Sequence, residues 1–89
     1  MKFEWDNKKA AANLRKHGIS FEYAAEAFTD ELSATLPDPD HSKSEARLLT
    51  FGVAADGKLL LVAHTEHDDT IRIISARLAT SHERKRYEI

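Results

Sequence analysis

Two apolar segments separated by Asp56-Gly57 constrain the fold of this chain more than any other feature. Residues 47–55 and 58–66 are rich in Leu, Val and Ala. An Asp-Gly pair between two such segments is a strong signal for a β-hairpin, because both residue types tolerate the left-handed backbone of a two-residue turn. The sequence therefore predicts two long antiparallel strands and a fold organised around a β-sheet.

The length of this turn decides which side chains share a face of the sheet. A two-residue loop places Leu49 opposite His64 and Arg47 opposite Glu66, since opposed residues of an antiparallel pair project from the same face. His64 then lies at the polar end of an apolar face, where an imidazole can accept a proton near neutral pH. A partly buried histidine with a structural hydrogen bond across the strands fits the same position, and both interpretations stay open.

Residues 71–78 form the last predicted strand, and the turn before it orients two arginines. Five positions separate Arg72 from Arg77, so regular alternation places them on opposite faces. A two- or four-residue turn brings Arg77 to the face of His64, whereas a three-residue turn brings Arg72 there. An arginine on that face can bind a phosphate through two hydrogen bonds and stabilise a transition state. A salt bridge to an acid of the central region is the alternative for either arginine.

Shorter patterns predict the remaining elements. In chain order they are a short strand at 3–5, a helix that extends through 16, a second helix at 21–28, a weak strand at 32–36, a proline-containing loop at 37–46 and a terminal helix at 81–87. Capping residues mark the helix starts, namely Asp6 or Asn7, then Ser20, then Thr80 with Glu83 as a capping box. This order predicts an α+β fold with a short N-terminal strand, two helices, a four-stranded antiparallel meander and a C-terminal helix.

The charge of the chain is unevenly distributed. The net charge is −2, yet residues 1–16 carry five cations and two acids, and residues 70–87 carry five cations and one acid. Residues 17–69 hold eleven acids and three cations. If the two ends of the chain meet in space, they form a basic surface suited to RNA or to an acidic protein. A scattered, solvated surface is the alternative.

Length and composition exclude several classes of protein. A chain of 89 residues provides one hydrophobic core, so we expect a single domain that spans residues 1–89. The chain has no cysteine for a disulfide or a thiolate metal site, and no recognised metal-ligand spacing or cofactor motif is present. The longest apolar run is too short for a bilayer, and no signal-peptide pattern follows Met1. We therefore expect a cytoplasmic protein without metal, cofactor or membrane attachment.

Further candidate residues lie near the two ends of the chain. Lys16 and His17 can extend a phosphate-binding track, or they can simply complement the C-terminal end of a helix dipole. Tyr87 can stack on a base or donate a proton, although a tyrosine that packs a terminal helix is the commoner case. Glu83 fits the capping box better than acid catalysis, and Arg84 neighbours it on the helix surface.

Several short patterns follow one another along essentially the whole chain. They are Phe3-Glu4-Trp5-Asp6, Asn13-Leu14-Arg15-Lys16-His17-Gly18-Ile19-Ser20-Phe21, Ala24, Phe28, Pro37-Asp38-Pro39-Asp40-His41-Ser42, Glu45 with Arg47, Arg72-Ile73-Ile74-Ser75-Ala76-Arg77, Glu83-Arg84 and Tyr87. In this order and spacing they resemble the BrnT-type toxins of bacterial type II toxin–antitoxin systems. Ala46 is a departure, because the resemblance leads us to expect a second acid before Arg47.

The resemblance implies a RelE-like ribonuclease fold and metal-independent RNA cleavage that inhibits translation. It also implies neutralisation by a cognate antitoxin, a small DNA-binding protein that forms a heterotetramer or larger complex with the toxin and contacts operator DNA. On this pattern the catalytic residues are Arg47, His64, Arg77, Arg84 and Tyr87, and the RNA-binding residues are Lys16, Arg72, Glu83 and Lys85. The alternative is a non-catalytic module that binds an acidic protein or RNA through its basic ends.

Overall fold

The computed structural model describes residues 1–39 and 46–87. Its elements are β1 (Lys2–Trp5), α1 (Asn7–His17), α2 (Phe21–Ala24), a 3-10 helix (Ala25–Thr29), β2 (Ala34–Pro37), β3 (Leu48–Val53), β4 (Leu59–His67), β5 (Thr70–Leu78) and α3 (Ser81–Tyr87). The predicted α+β class is confirmed. Parts of the predicted loop at 37–46 and of the Pro37–Ser42 pattern, and all of Glu45, lie outside the described residues. No described helix has both the length and the hydropathy that a bilayer crossing requires.

The five strands form one mixed sheet in the order β1-β5-β4-β3-β2. Strands β2 to β5 follow one another as antiparallel neighbours, and β1 pairs with β5 in parallel, with Phe3 beside Ile71. The predicted four-stranded antiparallel meander corresponds to β2–β5, but the sheet as a whole is five-stranded and mixed, because the predicted N-terminal strand joins it in parallel beside β5. The alternation at 3–5 indicates a strand but not its neighbour, because that neighbour lies near the other end of the chain.

Capping side chains begin α1 and α2 at the predicted residues. The carboxylate of Asp6 accepts hydrogen bonds from two amides of the first turn, at 2.7 and 3.2 Å. The hydroxyl of Ser20 accepts from the amide of Tyr23 at 3.0 Å. Gly18 ends α1 with a φ of 72°, a left-handed conformation that glycine adopts without strain. The corner between the two helices is thus fixed by local chemistry.

The hairpin between β3 and β4 has a three-residue loop instead of the predicted two-residue turn. The amide of Gly57 donates to the carbonyl of Ala54, and the amide of Ala54 donates to the carbonyl of Lys58, both at 2.9 Å. Gly57 has a φ of 88°. The Asp-Gly pair therefore ends a turn with one left-handed residue, which is the usual geometry of three-residue hairpin loops.

The longer loop shifts the strand pairing by one residue and turns every side chain of β3 to the other face. Leu48, and not Leu49, faces His64. The predicted pairs Leu49–His64 and Arg47–Glu66 are wrong, because Arg47 and Leu49 lie together on the opposite side of the sheet from His64.

Strand β5 contains a β-bulge at Ile74. His64 faces Ile73 and Ala63 faces Ser75, so Ile74 has no opposed residue on β4. The extra residue interrupts the regular alternation of side chains. Two residues on either side of the bulge therefore project from the same face when their numbers differ by an odd number.

Arg72 and Arg77 share one face of β5 for this reason. They lie opposite Thr65 and Leu61, respectively. The turn between β4 and β5 has two residues. On a regular strand this length would bring Arg77 to the face of His64, but the bulge turns Arg77 to the other face. The prediction that the two arginines project from opposite faces is therefore wrong, and neither arginine shares the face of His64.

Helices α1 and α2 and the 3-10 helix cover one face of the sheet, whereas α3 reaches part of the other face, where Tyr87 packs against Phe51 with a centroid distance of 6.2 Å. The core on the covered face is formed by Ile19, Phe21, Ala24, Ala27, Ala54, Leu60, Val62, Ile71, Ile73 and Ala76. Gly52 allows the 3-10 helix to cross β3 closely, since a Cβ at this position would lie 2.2 Å from the carbonyl oxygen of Ala27. We call the other side, which carries Leu49, Leu61 and Ala63, the open face.

Candidate functional site

A depression of about 400 Å³ lies on the open face. Its lining consists of Lys16, His17, Asp38, Arg47, Leu49, Leu61, Ala63, Ser75, Ala76 and Arg77. Three cations from separate parts of the chain border this one cavity, which we call the cationic depression. From the set of sequence-predicted site residues it brings together Lys16, Arg47 and Arg77.

The last turn of α1 brings Lys16 and His17 to the edge of the cationic depression. Both side chains are exposed. They occupy the C-terminal end of the helix, where cationic groups interact favourably with the helix dipole. Because Gly18 then turns the chain away, the two side chains reach the cavity from the end of a well-defined helix.

Asp38 and Arg47 lie across from each other just beyond the paired segments of β2 and β3. The amide of Asp38 donates to the carbonyl of Arg47 at 2.9 Å, which extends the strand pairing by one step. Asp38 is 7% exposed, and its side chain lines the cavity beside the cations. A carboxylate in this place can accept hydrogen bonds from a bound base or from a neighbouring cation.

The floor of the cationic depression consists of small and apolar side chains. Leu49, Leu61, Ala63 and Ser75 come from three neighbouring strands, β3, β4 and β5. A nucleotide has an apolar base face and a charged phosphate, so an apolar floor below a cationic rim matches both of its parts.

Arg77 borders the cationic depression and is held in place by Glu83. Its guanidinium donates two hydrogen bonds to the Glu83 carboxylate, at 2.8 and 3.0 Å. The side chains are 37% and 24% exposed, respectively. These hydrogen bonds lower the pKa of Glu83 from 4.5 to about 2. Arg77 is thus a fixed cation in a salt bridge, and Glu83 is its partner.

His64 lies on the helix-covered face and is 0% exposed. Its Nε2 is 2.7 Å from the hydroxyl of Thr50, and the ring of Phe28 packs against it edge-on with a centroid distance of 4.8 Å. Burial lowers the pKa of His64 from 6.5 to about 4, so the ring is neutral at pH 7. An accessible imidazole at the rim of the sheet is therefore wrong, and the alternative of a buried histidine with a structural hydrogen bond across the strands is confirmed.

Helix α3 carries Arg84 and Tyr87 outside the cationic depression. Arg84 donates to the carbonyl of Ala79 at 3.2 Å. The hydroxyl of Tyr87 donates to the carbonyl of Leu32 at 2.7 Å and lies 3.2 Å from a carboxylate oxygen of Asp30. These contacts fix α3 to the rest of the fold, and a catalytic role for either residue stays a prediction.

The remaining predicted RNA-binding residues also lie apart from the cavity. Arg72 is on the open face beyond the bulge, where it donates to Glu4 at 2.8 Å and joins β5 to β1. Lys85 is exposed on α3. Their positions on the surface permit contact with RNA, and their role in RNA binding stays a prediction.

Sequence reasoning missed the contributions of Asn13 and Asp38. Asn13 is the buried residue of α1, whereas its apolar neighbour Leu14 is 51% exposed. Hydrophobic periodicity cannot detect a buried amide, and Asp38 stands in a proline-rich segment that reads as a loop. The only signal for Asn13 is its position one helical turn before Lys16 in a pattern that carries the family resemblance.

The structure defines a small α+β protein whose cation-bordered cavity over an apolar floor suits a polyanionic ligand. The family model of the ribonuclease toxin, BrnT, of type II toxin-antitoxin system matches residues 5–83. The chain therefore belongs to the BrnT family of ribonuclease toxins. Membership in a toxin–antitoxin family implies a cognate antitoxin as its partner.

A solved structure has a similar fold. The crystal structure of the Brucella abortus ribonuclease toxin, BrnT, at 1.1 Å resolution matches with a TM-score of 0.66 and 24% sequence identity, over 91% of this chain and 99% of that chain. At this level of identity the likeness concerns the fold alone. No curated protein matches the chain.

Proposed function

We propose that this chain is an endoribonuclease that cleaves RNA in the cationic depression. The observation that carries the proposal is the convergence of Lys16, Arg47 and Arg77 on one cavity with an apolar floor. Membership in a ribonuclease toxin family supports it. RNA is the polyanion that such a family acts on, and the cavity offers separate contacts for a base and for a phosphate.

The proposed reaction is an attack of a ribose 2′-oxygen on the adjacent phosphorus. The O2′–P bond forms and the P–O5′ bond breaks, which yields a 2′,3′-cyclic phosphate and a 5′-hydroxyl. Lys16 and Arg47 donate hydrogen bonds to the non-bridging oxygens, where negative charge grows in the transition state. Arg77 adds a fixed positive charge at the rim.

We assign the first proton transfer to His17. Its imidazole lines the cationic depression and is exposed to a substrate, and a neutral imidazole is a suitable acceptor for the 2′-hydroxyl proton. The leaving 5′-oxygen takes its proton from water. His64 has no part in this scheme, because a buried side chain cannot touch RNA.

The proposal includes metal-independent cleavage, since side-chain cations take the place of a divalent ion at the phosphate. It also includes inhibition of translation through loss of RNA, as the RelE-like toxins of the resemblance act. A small DNA-binding antitoxin would neutralise the chain and link the complex to operator DNA.

Cleavage of a labelled RNA by the purified chain in EDTA tests the proposal. We expect products with cyclic phosphate ends. Arg47→Ala and Lys16→Ala should each lower kcat/KM about 100-fold, the usual effect of removing one donor to a developing oxyanion. The control is Lys8→Ala, which removes an exposed cation at the other end of α1. It should change kcat/KM by less than about twofold, because solvent screens a charge at that distance.

Three results would contradict parts of the proposal. Tight RNA binding without cleavage would favour the non-catalytic alternative. Cleavage that EDTA abolishes and Mg²⁺ restores would exclude metal independence. Equal activity of Arg47→Ala and Lys8→Ala would place the site elsewhere on the molecule.

A further inference from the structure

We infer that Asn13 is a positioning residue that holds the Lys16–His17 end of α1 against β5, an inference that rests on the proposed function. The Asn13 side chain is buried. Its Nδ2 donates to the carbonyl of Ala76 at 2.8 Å and to the carbonyl of Ile19 at 2.9 Å. Its Oδ1 accepts from the amide of Ala76 at 3.0 Å.

The side-chain amide of Asn13 forms the hydrogen bonds with β5 that a neighbouring strand would otherwise form. Strand β1 pairs with β5 only from Thr70 to Ile73, so the same edge of β5 needs another partner further along. At Ala76 the side-chain amide both donates and accepts, as the backbone of a paired strand does. A buried peptide group without such a partner is strongly unfavourable, which explains an asparagine at this position.

This contact determines how α1 lies relative to the cation on β5. Lys16 and His17 follow Asn13 by three and four positions, so all three side chains project from the same side of the helix. Ala76 directly precedes Arg77, and both line the cationic depression. Asn13 thus links two elements that both line the cavity.

The hydrogen bond to Ile19 secures the end of the helix from the other direction. Gly18 turns the chain in a left-handed conformation, and the Ile19 carbonyl then points back to the Asn13 amide. Helix ends commonly fray, because their last carbonyls lack helical partners. Asn13 restrains this end at the turn where His17 must meet the substrate.

The experiment compares Asn13→Ala with Thr50→Val. Thr50 is also fully buried, and its hydroxyl lies 2.7 Å from His64 Nε2 and 2.8 Å from the Thr35 hydroxyl. It faces the helix-covered side, away from the cavity. Both variants lose buried hydrogen bonds, so the comparison separates positioning from general loss of stability.

Cleavage is measured at a temperature where circular dichroism shows both variants to be folded. We expect Asn13→Ala to lower kcat about 100-fold with a smaller change in KM, because a displacement of about 1 Å at a reacting group has this effect. Thr50→Val should keep both constants near the wild-type values. The loss in Asn13→Ala should also be less than additive with that of Lys16→Ala, since both act on the same helix end.

Similar kcat values for Asn13→Ala and Thr50→Val would overturn the inference. If Asn13→Ala does not fold, Asn13→Ser keeps one hydrogen-bonding group and takes its place, with amide hydrogen exchange of residues 14–19 as the measurement. Faster exchange there than in Thr50→Val supports the inference, and unchanged exchange overturns it. Because exchange does not depend on cleavage, an inactive but folded wild type would contradict the proposed function alone.

Discussion

Arg77 and Glu83 form a bidentate ion pair that joins the end of β5 to the first turn of α3. Glu83 also accepts a hydrogen bond from the amide of Thr80 at 2.8 Å, and its own amide donates to the Thr80 hydroxyl at 3.1 Å. The predicted capping box is therefore confirmed. One carboxylate fixes both the start of α3 and the orientation of an arginine at the cationic depression.

Replacement of Glu83 by Gln removes the charge of this pair at nearly constant size. Folding lowers the pKa of Glu83 from 4.5 to about 2, so its stabilisation is fully present above pH 4.5 and is lost as the pH falls through about 2. At pH 7 we expect Glu83→Gln to reduce the free energy of unfolding by about 1 kcal/mol, because the pair is partly exposed. Urea unfolding at several pH values measures the difference, which should vanish near pH 2; a constant difference would refute this cause.

The elements of this fold were predictable where the signal is local. Asp6 and Ser20 cap their helices, as residues of their type commonly do, and Glu83 completes its capping box. Strand pairing was not predictable in the same way. The same Asp-Gly signal is compatible with a two- or a three-residue loop, and Gly57 adopts the longer one. The bulge at Ile74 coincides with the adjacent apolar pair Ile73-Ile74, but a strand with two apolar faces shows the same break in alternation.

His64→Gln should reduce the sensitivity of the fold to acid. The pKa of His64 is about 4 in the folded protein against 6.5 ordinarily, so the unfolded chain binds the proton more readily. Stability is therefore complete above pH 6.5 and decreases as the pH falls toward 4. The loss amounts to about 3 kcal/mol at most. The carboxylate of Glu66 lies 3.8 Å from Nδ1.

Thermal or urea unfolding between pH 8 and pH 4 measures this effect. The stability of the wild type should fall more steeply than that of His64→Gln over this range. His82→Gln is the matched control for the substitution itself, because His82 is exposed on α3. Identical slopes for the wild type and His64→Gln would show that another group causes the acid sensitivity.

The composition of the site depends on long-range contacts more than on any motif. A one-residue shift in pairing brings Arg47 and Leu49 to the open face, and a one-residue bulge brings Arg77 to it. Lys16 and Arg47 were proposed from the resemblance and the charge pattern, but their meeting in one cavity follows from how α1 packs on β5. A buried amide, Asn13, makes that contact, and apolar periodicity does not report it.

Gly52→Ala should be far more damaging than Gly57→Ala. A Cβ on Gly52 would lie 2.2 Å from the carbonyl oxygen of Ala27, and neither the strand nor the 3-10 helix can move without disturbing the core. We expect a loss of about 3 kcal/mol or more in the free energy of unfolding. Gly57 has open space around it and only a positive φ of 88°, so its replacement should lose about 1 kcal/mol. Equal losses in urea unfolding would contradict the close crossing at Gly52.

Tyr87→Phe should weaken the attachment of α3 without abolishing cleavage. The hydroxyl donates to the Leu32 carbonyl at 2.7 Å and lies 3.2 Å from Asp30, whose carboxylate also accepts from the amide of Val53 at 2.8 Å. Tyr87 therefore closes a network that joins α3, β3 and the turn before β2. Loss of one such hydrogen bond lowers the free energy of unfolding by about 1 kcal/mol.

The hydroxyl of Tyr87 points to this network and not to the cationic depression, so kcat/KM of Tyr87→Phe should stay within about threefold of the wild type at a temperature where the variant is folded. Tyr23→Phe is a matched control, because the Tyr23 hydroxyl also donates to a carboxylate, that of Asp56 at 2.6 Å. The two variants should lose similar stability and retain similar activity. A tenfold or larger loss of kcat/KM in Tyr87→Phe alone would instead support the catalytic role that the resemblance implies for this tyrosine.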